Sequence, residues 1–163
     1  MSFSNNSSKQ TKTLNQILTD LVNSLDGIYS GFCVDREGLL IEEVNLEGTL
    51  GKESSLILCS LMAGVCANMD TIGREIGGSP WVSFISESSK FKLYLRTVGN
   101  IAFLGVLTDP YVDFELLKLI VGPGVDAILQ TLQQRPETQY SISLITPLAS
   151  SQKEIDDILT MEK

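Results

Sequence analysis

Residues 54–77 read SSLILCSLMAGVCANMDTIGREIG, and the first sixteen of them carry no charge in a chain whose formal net charge is -8. A helix facing water normally carries Lys and Glu on its outer face, so an uncharged helix of this length has to be covered on more than one side. No other stretch restricts the fold as much. Leu58, Leu61, Val65, Met69, Ile72 and Ile76 recur three or four residues apart, a stripe expected to lie on a sheet. The opposite flank holds Cys59, Ser60, Ala63, Gly64, Cys66, Ala67 and Asn68. It can be covered by a membrane, by the rest of the chain, or by a second copy. A span needs about 20 predominantly apolar residues, and Ser and Asn interrupt this segment, so no membrane insertion is expected. Small side chains let two helix backbones approach closely, and two-fold pairing lets one surface complement itself. A second copy is the expected cover.

The flanking segments supply the sheet. Leu14, Ile17, Leu18, Leu21 and Leu25 have helical spacing, and Gly27 supplies a stop. IYSGFCVDREGLLIEEV reads as two strands joined at Asp35-Arg36-Glu37-Gly38, where Asp opens and Gly closes a turn. Ser54 or Ser55 is placed to cap the long helix, and Gly77-Gly78 before Ser79-Pro80 ends it. WVSFISES, FKLYLRTV and IAFLGVLT follow as a meander. The first of these is expected at the sheet edge, where paired copies can join strand to strand. Asp109, with Pro110 next, reads as the cap of a third helix, which Gly122-Pro123-Gly124 is expected to break. The chain then divides into a polar tail (1–11), one domain (12–135) and an extension (136–163) carrying a possible strand, YSISLIT, and a short helix.

Composition excludes several functions. A sequence pI of about 4.5 gives no basic surface for displacing counterions from nucleic-acid phosphates. MSFSNNSSKQTK lacks the basic start and apolar run of a secretory signal, so a cytoplasmic location is expected. Cys33, Cys59 and Cys66 have no CxxC spacing, and the chain has no His; neither a zinc site nor a His-based triad is expected. Gly51-Lys52-Glu53 lacks the leading Gly and the hydroxyl of a phosphate loop. No catalytic residue, metal or cofactor is assigned.

The order helix, hairpin, long helix, three-stranded meander, helix resembles the Roadblock family, the dynein-light-chain-type fold related to longin and profilin-like domains. The matching stretches are FCVDREGLLIEEV, the helix ending NMDTIGREIG, WVSFISES followed by FKLYLRTVGNIAFLGVLTDP, and LLKL. They span roughly residues 12–121. The resemblance implies an α+β fold, an α/β/α sandwich: a five-stranded antiparallel sheet with the long helix on one face and the first and third helices on the other. It also implies pairing through the long helix and the following strand. Residues expected in a dimer interface are Cys59, Ser60, Ala63, Cys66, Ala67, Asp70, Trp81, Ser83 and Ile85. The Gly-Pro-Gly interruption and the extension are departures from the family's core pattern.

Family members regulate or scaffold Ras-like small GTPases, or assemble motor and lysosomal signalling complexes. The resemblance therefore implies a non-enzymatic homodimeric module that binds a Ras-like GTPase, with Asn68, Thr71, Arg74 and Glu75 as partner-binding residues. Arg36, Arg74, Arg96 and Arg135 are the arginines available for insertion beside a transferring phosphoryl group; Arg74, four residues after Asp70, is better suited to a surface ion pair. The alternatives are an architectural scaffold subunit without effect on GTP hydrolysis, and an enzyme or ligand sensor using Cys33 or Asp35 in a profilin-like pocket.

Overall fold

Thr13 starts the first helix by a reciprocal exchange. Its Oγ1 accepts the Gln16 N–H at 3.2 Å, and Gln16 Oε1 accepts the Thr13 N–H at 2.9 Å. The computed structural model describes residues 12–46, 48–78 and 80–134. Within them the elements are α1 (Leu14–Val22), β1 (Ile28–Asp35), β2 (Leu40–Asn45), α2 (Lys52–Glu75), β3 (Ser83–Glu87), β4 (Lys92–Val98), β5 (Ala102–Thr108) and α3 (Phe114–Gln133). The chain divides into two units after Leu132, and the first contains the whole sheet and the helices packed on it up to that residue. The expected tail, extension strand, terminal helix and Arg135 lie outside the described residues.

The five strands form one antiparallel sheet in the order β2-β1-β5-β4-β3. The β1–β2 turn forms as its residue types dictate. Asp35 Oδ1 accepts the N–H groups of Glu37 at 3.0 Å and Leu39 at 2.8 Å, and Gly38 adopts φ 90°, which costs a side-chain-bearing residue steric strain.

Alternation along the strands splits the interior into two layers. On one face Ile28, Cys33, Tyr94, Leu104 and Val106 pack against α1 and α3. On the other, Phe32, Val34, Leu95, Phe103 and Leu107 pack against Cys59, Met62 and Cys66 of α2. Gly105 lies in the centre of that face, paired with both Phe32 and Leu95. A Cβ there would collide with the Met62 thioether, so the missing side chain is the notch that seats α2.

Three local expectations are corrected. The N-cap of α2 is Gly51, without a side-chain bond; neither Ser54 nor Ser55 caps it, and the buried Ser55 hydroxyl instead donates to Glu43 Oε1 at 2.7 Å. Asp109 does not cap α3. Its Oδ1 accepts the Tyr111 N–H at 2.8 Å and its Oδ2 accepts the Tyr29 hydroxyl at 3.0 Å, while Asp113 Oδ1 takes the capping bond from the Leu116 N–H at 2.8 Å. Nor does Gly122-Pro123-Gly124 break α3. Pro123 is on the exposed side, where water can serve a carbonyl left without its donor, and Gly122 has no Cβ to crowd the proline ring. The buried stripe Leu117, Val121, Val125, Ile128, Leu132 runs through the interruption and holds both halves to the sheet.

Candidate functional site

Met62 in the Gly105 notch sets the roll of α2. The residues turned to the sheet are Ser55, Cys59, Met62, Cys66 and Gly73, and Cys59 and Cys66 are fully buried within the single chain. The expected assignment of flanks is therefore corrected by roughly a quarter turn of the helix. Leu61 is 62% exposed, Ile57 56% and Ile76 81%, whereas the two cysteines are not available to a second copy. The physical reason is size: a helix lying over Phe32, Phe103 and Leu107 comes closer to the sheet with thiols and one flexible thioether beneath it than with a row of Leu and Ile.

The small-residue flank is met only in part by the chain itself. A Cβ built on Gly38 would lie 3.1 Å from the Ala63 Cβ and 3.2 Å from the Ser60 Cα, so the hairpin tip rests on this side of α2. Ala63 is half-buried; Ser60, Gly64, Ala67 and Asn68 remain exposed.

The opposite side of α2 is apolar and open. Leu50, Ser54, Ile57, Leu58, Leu61, Phe91, Leu93 and Leu107 line a groove of about 320 Å³ between the N-terminal half of α2 and the β3–β4 side of the sheet. Leu56 and Ile72 are exposed as well. By length and composition α2 would pass for a membrane span, but its packed face is that of a helix seated on a sheet. Beside the groove, β3 has a strand neighbour on one side only. Of the β3 residues expected at an interface, Ile85 packs towards the α1/α3 core, and Ser83 shares its face by alternation; Phe84 points to the α2 side. Sequence reasoning missed Ile57 and Leu61 as surface residues and passed over Phe84, because strict alternation from Trp81 picks out Ser83 and Ile85 instead.

Asp70 joins three elements. Its Oδ2 pairs with Arg36 Nη2 at 2.6 Å and its Oδ1 accepts the Trp81 indole N–H at 2.6 Å. Trp81 stacks on Phe103 with ring centroids 6.0 Å apart, and the Arg36 guanidinium lies 4.5 Å from the Phe103 centroid. Hairpin tip, helix and the start of the β3 segment are thereby tied together. Asp70 and Trp81, expected at an interface, already have partners within the protomer. Arg74 does not pair with Asp70; its Nη2 donates to Thr71 Oγ1 at 3.1 Å. Asn68, Thr71, Arg74 and Glu75 are all exposed along the C-terminal half of α2.

Burial pushes the Cys59 thiol up to about 11 and the Cys66 thiol up to about 12, which keeps both protonated and inert near neutral pH. Among the described residues no group of three or more His, Cys, Asp or Glu is arranged to hold a metal ion.

These layers, with one long helix alone on its face of an antiparallel sheet, define an α+β sandwich of the longin/profilin-like kind. The Roadblock/LC7 domain family model matches residues 14–108, and the chain belongs to that family. Myxococcus xanthus MglB is similar in structure, with 24% identity and a TM-score of 0.67 over 75% of this chain and 96% of that one. A Roadblock/LC7 domain from Streptomyces avermitilis gives 20% identity and a TM-score of 0.68 over 75% and 99%. An MglB with tetrameric arrangement gives 15% identity and 0.65 over 72% and 85%. At these identities the likeness establishes the fold. No curated protein matches the chain.

Proposed function

We propose that this chain is a homodimeric, non-enzymatic interaction module that binds a Ras-like small GTPase in the cytoplasm and regulates it, in a GAP-like or co-regulatory role. The observation that carries the reading is the exposed apolar side of α2 next to the unpaired β3 edge. Family membership and likeness to MglB support it, and so does the tetrameric arrangement of one MglB.

A second copy is the cover that satisfies both features at once, because antiparallel α2 helices and adjoining β3 edges belong to one two-fold interface. Fully burying a Leu or Ile contributes about 1.5–3 kcal/mol, so the roughly half-exposed Ile57, Leu61 and Ile72 of two copies supply about 5–10 kcal/mol. Association costs about 4–15 kcal/mol in lost freedom. Side chains alone do not settle the balance, and strand pairing across β3 provides the remainder.

The paired helices then form a platform on which Asn68, Thr71, Arg74 and Glu75 face a partner. Binding one nucleotide state more tightly than the other shifts the GTPase towards that state. Arg36 is held by Asp70 and Phe103, which favours positioning of the GTPase's own residues over an inserted arginine.

The test is single-turnover GTP hydrolysis by candidate small GTPases with and without the protein, alongside direct binding to their GTP and GDP forms. State-dependent binding is expected. Equal affinity for both states together with unchanged hydrolysis would transfer the assignment to the scaffold alternative.

A further inference from the structure

We propose that the cleft between the hairpin tip and the C-terminal end of α2 binds an oxyanion, a carboxylate or phosphate group held by the guanidinium groups of Arg36 and Arg74. The cleft is about 260 Å³ and is lined by Arg36, Asp70, Arg74, Gly78 and Pro80. Two arginines in one small concavity are notable in a chain with a net charge of -8. One carboxylate shares the wall, and both of its oxygens are already engaged: Oδ2 by Arg36, Oδ1 by Trp81. Cations outnumber anions along the lining, and donors outnumber acceptors.

Arg36 is preorganised for the role. The ion pair with Asp70 and the contact with Phe103 fix its plane, its side chain is still 33% exposed, and a guanidinium has five N–H donors, of which Asp70 takes one. Arg74 is the complementary case. Among the described residues it has no ion-pair partner, because the carboxylate one turn before it is committed to Arg36. Opposite them, a Cβ at Gly78 would meet nothing within 4 Å, so this wall leaves the mouth wide.

Other charges lie near in sequence. Asp35 is occupied by the turn amides, and Glu37 and Glu75 are exposed and outside the lining. The carbonyl end of α2 disfavours an anion, so binding rests on charge-assisted, forked bonds from the arginines, the geometry that guanidinium offers to carboxylate and phosphate. This inference depends on neither self-association nor GTPase binding.

Trp81, the single tryptophan of the chain, reports on the site through its bond to Asp70. The full chain is titrated at constant ionic strength, balanced with chloride, with inorganic phosphate and separately with a capped tri-glutamate peptide, following the indole Nε1–H resonance. A saturable shift with at least one probe is expected, with apparent affinity about tenfold weaker in Arg74→Gln. Saturation by the peptide identifies an acidic side chain of a partner protein as the ligand; saturation by phosphate alone identifies a free anion. Arg74 is exposed and bonded only to its own helix, so the substitution leaves the fold intact, and Arg36→Lys, which keeps the charge and removes the fork, is a second probe expected to weaken binding. A shift that stays linear with both probes, or is unchanged in Arg74→Gln, overturns the proposal.

Discussion

Gly38 rests on Ala63: a Cβ built on the glycine would lie 3.1 Å from that of the alanine, and the glycine's φ is 90°. Hairpin and long helix thus meet where neither has a side chain to spare. Gly38→Ala is expected to destabilise the protomer by about 1–3 kcal/mol through backbone strain and crowding. Ala63→Glu is expected to do the same by displacing the hairpin tip. Urea denaturation checks both, and midpoints equal to that of the native protein would show that the contact has no structural weight.

The bridge from Arg36 through Asp70 to Trp81 joins three elements that are distant in sequence. In a double-mutant cycle with Arg36→Met and Asp70→Asn, a coupling energy of about 1–2 kcal/mol is expected for a partly buried charge-assisted pair. Additive effects would place the pair among surface bridges of no consequence.

Leu61 and Ile57 separate folding from association, because both are more than half exposed in the single chain. Leu61→Glu is expected to keep the denaturation midpoint within about 0.5 kcal/mol of native, as for other surface changes, and to abolish self-association in sedimentation velocity. A native-like dimer with glutamate at this position would remove α2 from the interface.

The thiols of Cys59 and Cys66 are raised by burial from 9.0 to about 11 and about 12. Folded thiols keep their protons above the pH at which unfolded thiols lose theirs, so this contribution to stability is whole below pH 9.0 and is lost as pH rises towards 11 and 12. Urea midpoints should hold steady up to about pH 8 and fall by pH 10. Alkylation at pH 8, mapped by peptide mass spectrometry, should leave both cysteines unmodified until denaturant is added.

Gly124 lies inside α3 with open space where a Cβ would be. Gly124→Ala is expected to stabilise the chain by about 0.5–1 kcal/mol, the ordinary helix-interior difference. A thermal melt is sufficient to detect it. Gly122→Ala should lack this benefit, since a Cβ before proline crowds its ring.

The order of elements, the Asp35–Gly38 turn and the edge position of β3 were all legible, because each depends on local residue chemistry or on alternation. The roll of α2 was not. Leu, Cys, Ser and Ala on this helix are all uncharged, so periodicity offers two stripes and no penalty for choosing the wrong one; the decision lies at Gly105, forty-odd positions along, in the notch that accepts Met62. The α3 cap was missed because Asp109 and Asp113 both satisfy the local rule, and the break at Pro123 because a buried stripe on both sides outweighs one missing donor. Of the interface residues expected from sequence, Ser60 and Ala67 remain exposed, while Cys59 and Cys66 belong to the core.

The two margins of the sheet are not alike. β2 carries Glu42 and Glu43, whose carboxylates are drawn into bonds with Asn15 of α1 and Ser55 of α2, while β3 has apolar ground beside it. In the proposed pairing, β3 joined to the β3 of a second copy uses up that rim on both, so growth from this side of the sheet stops at two.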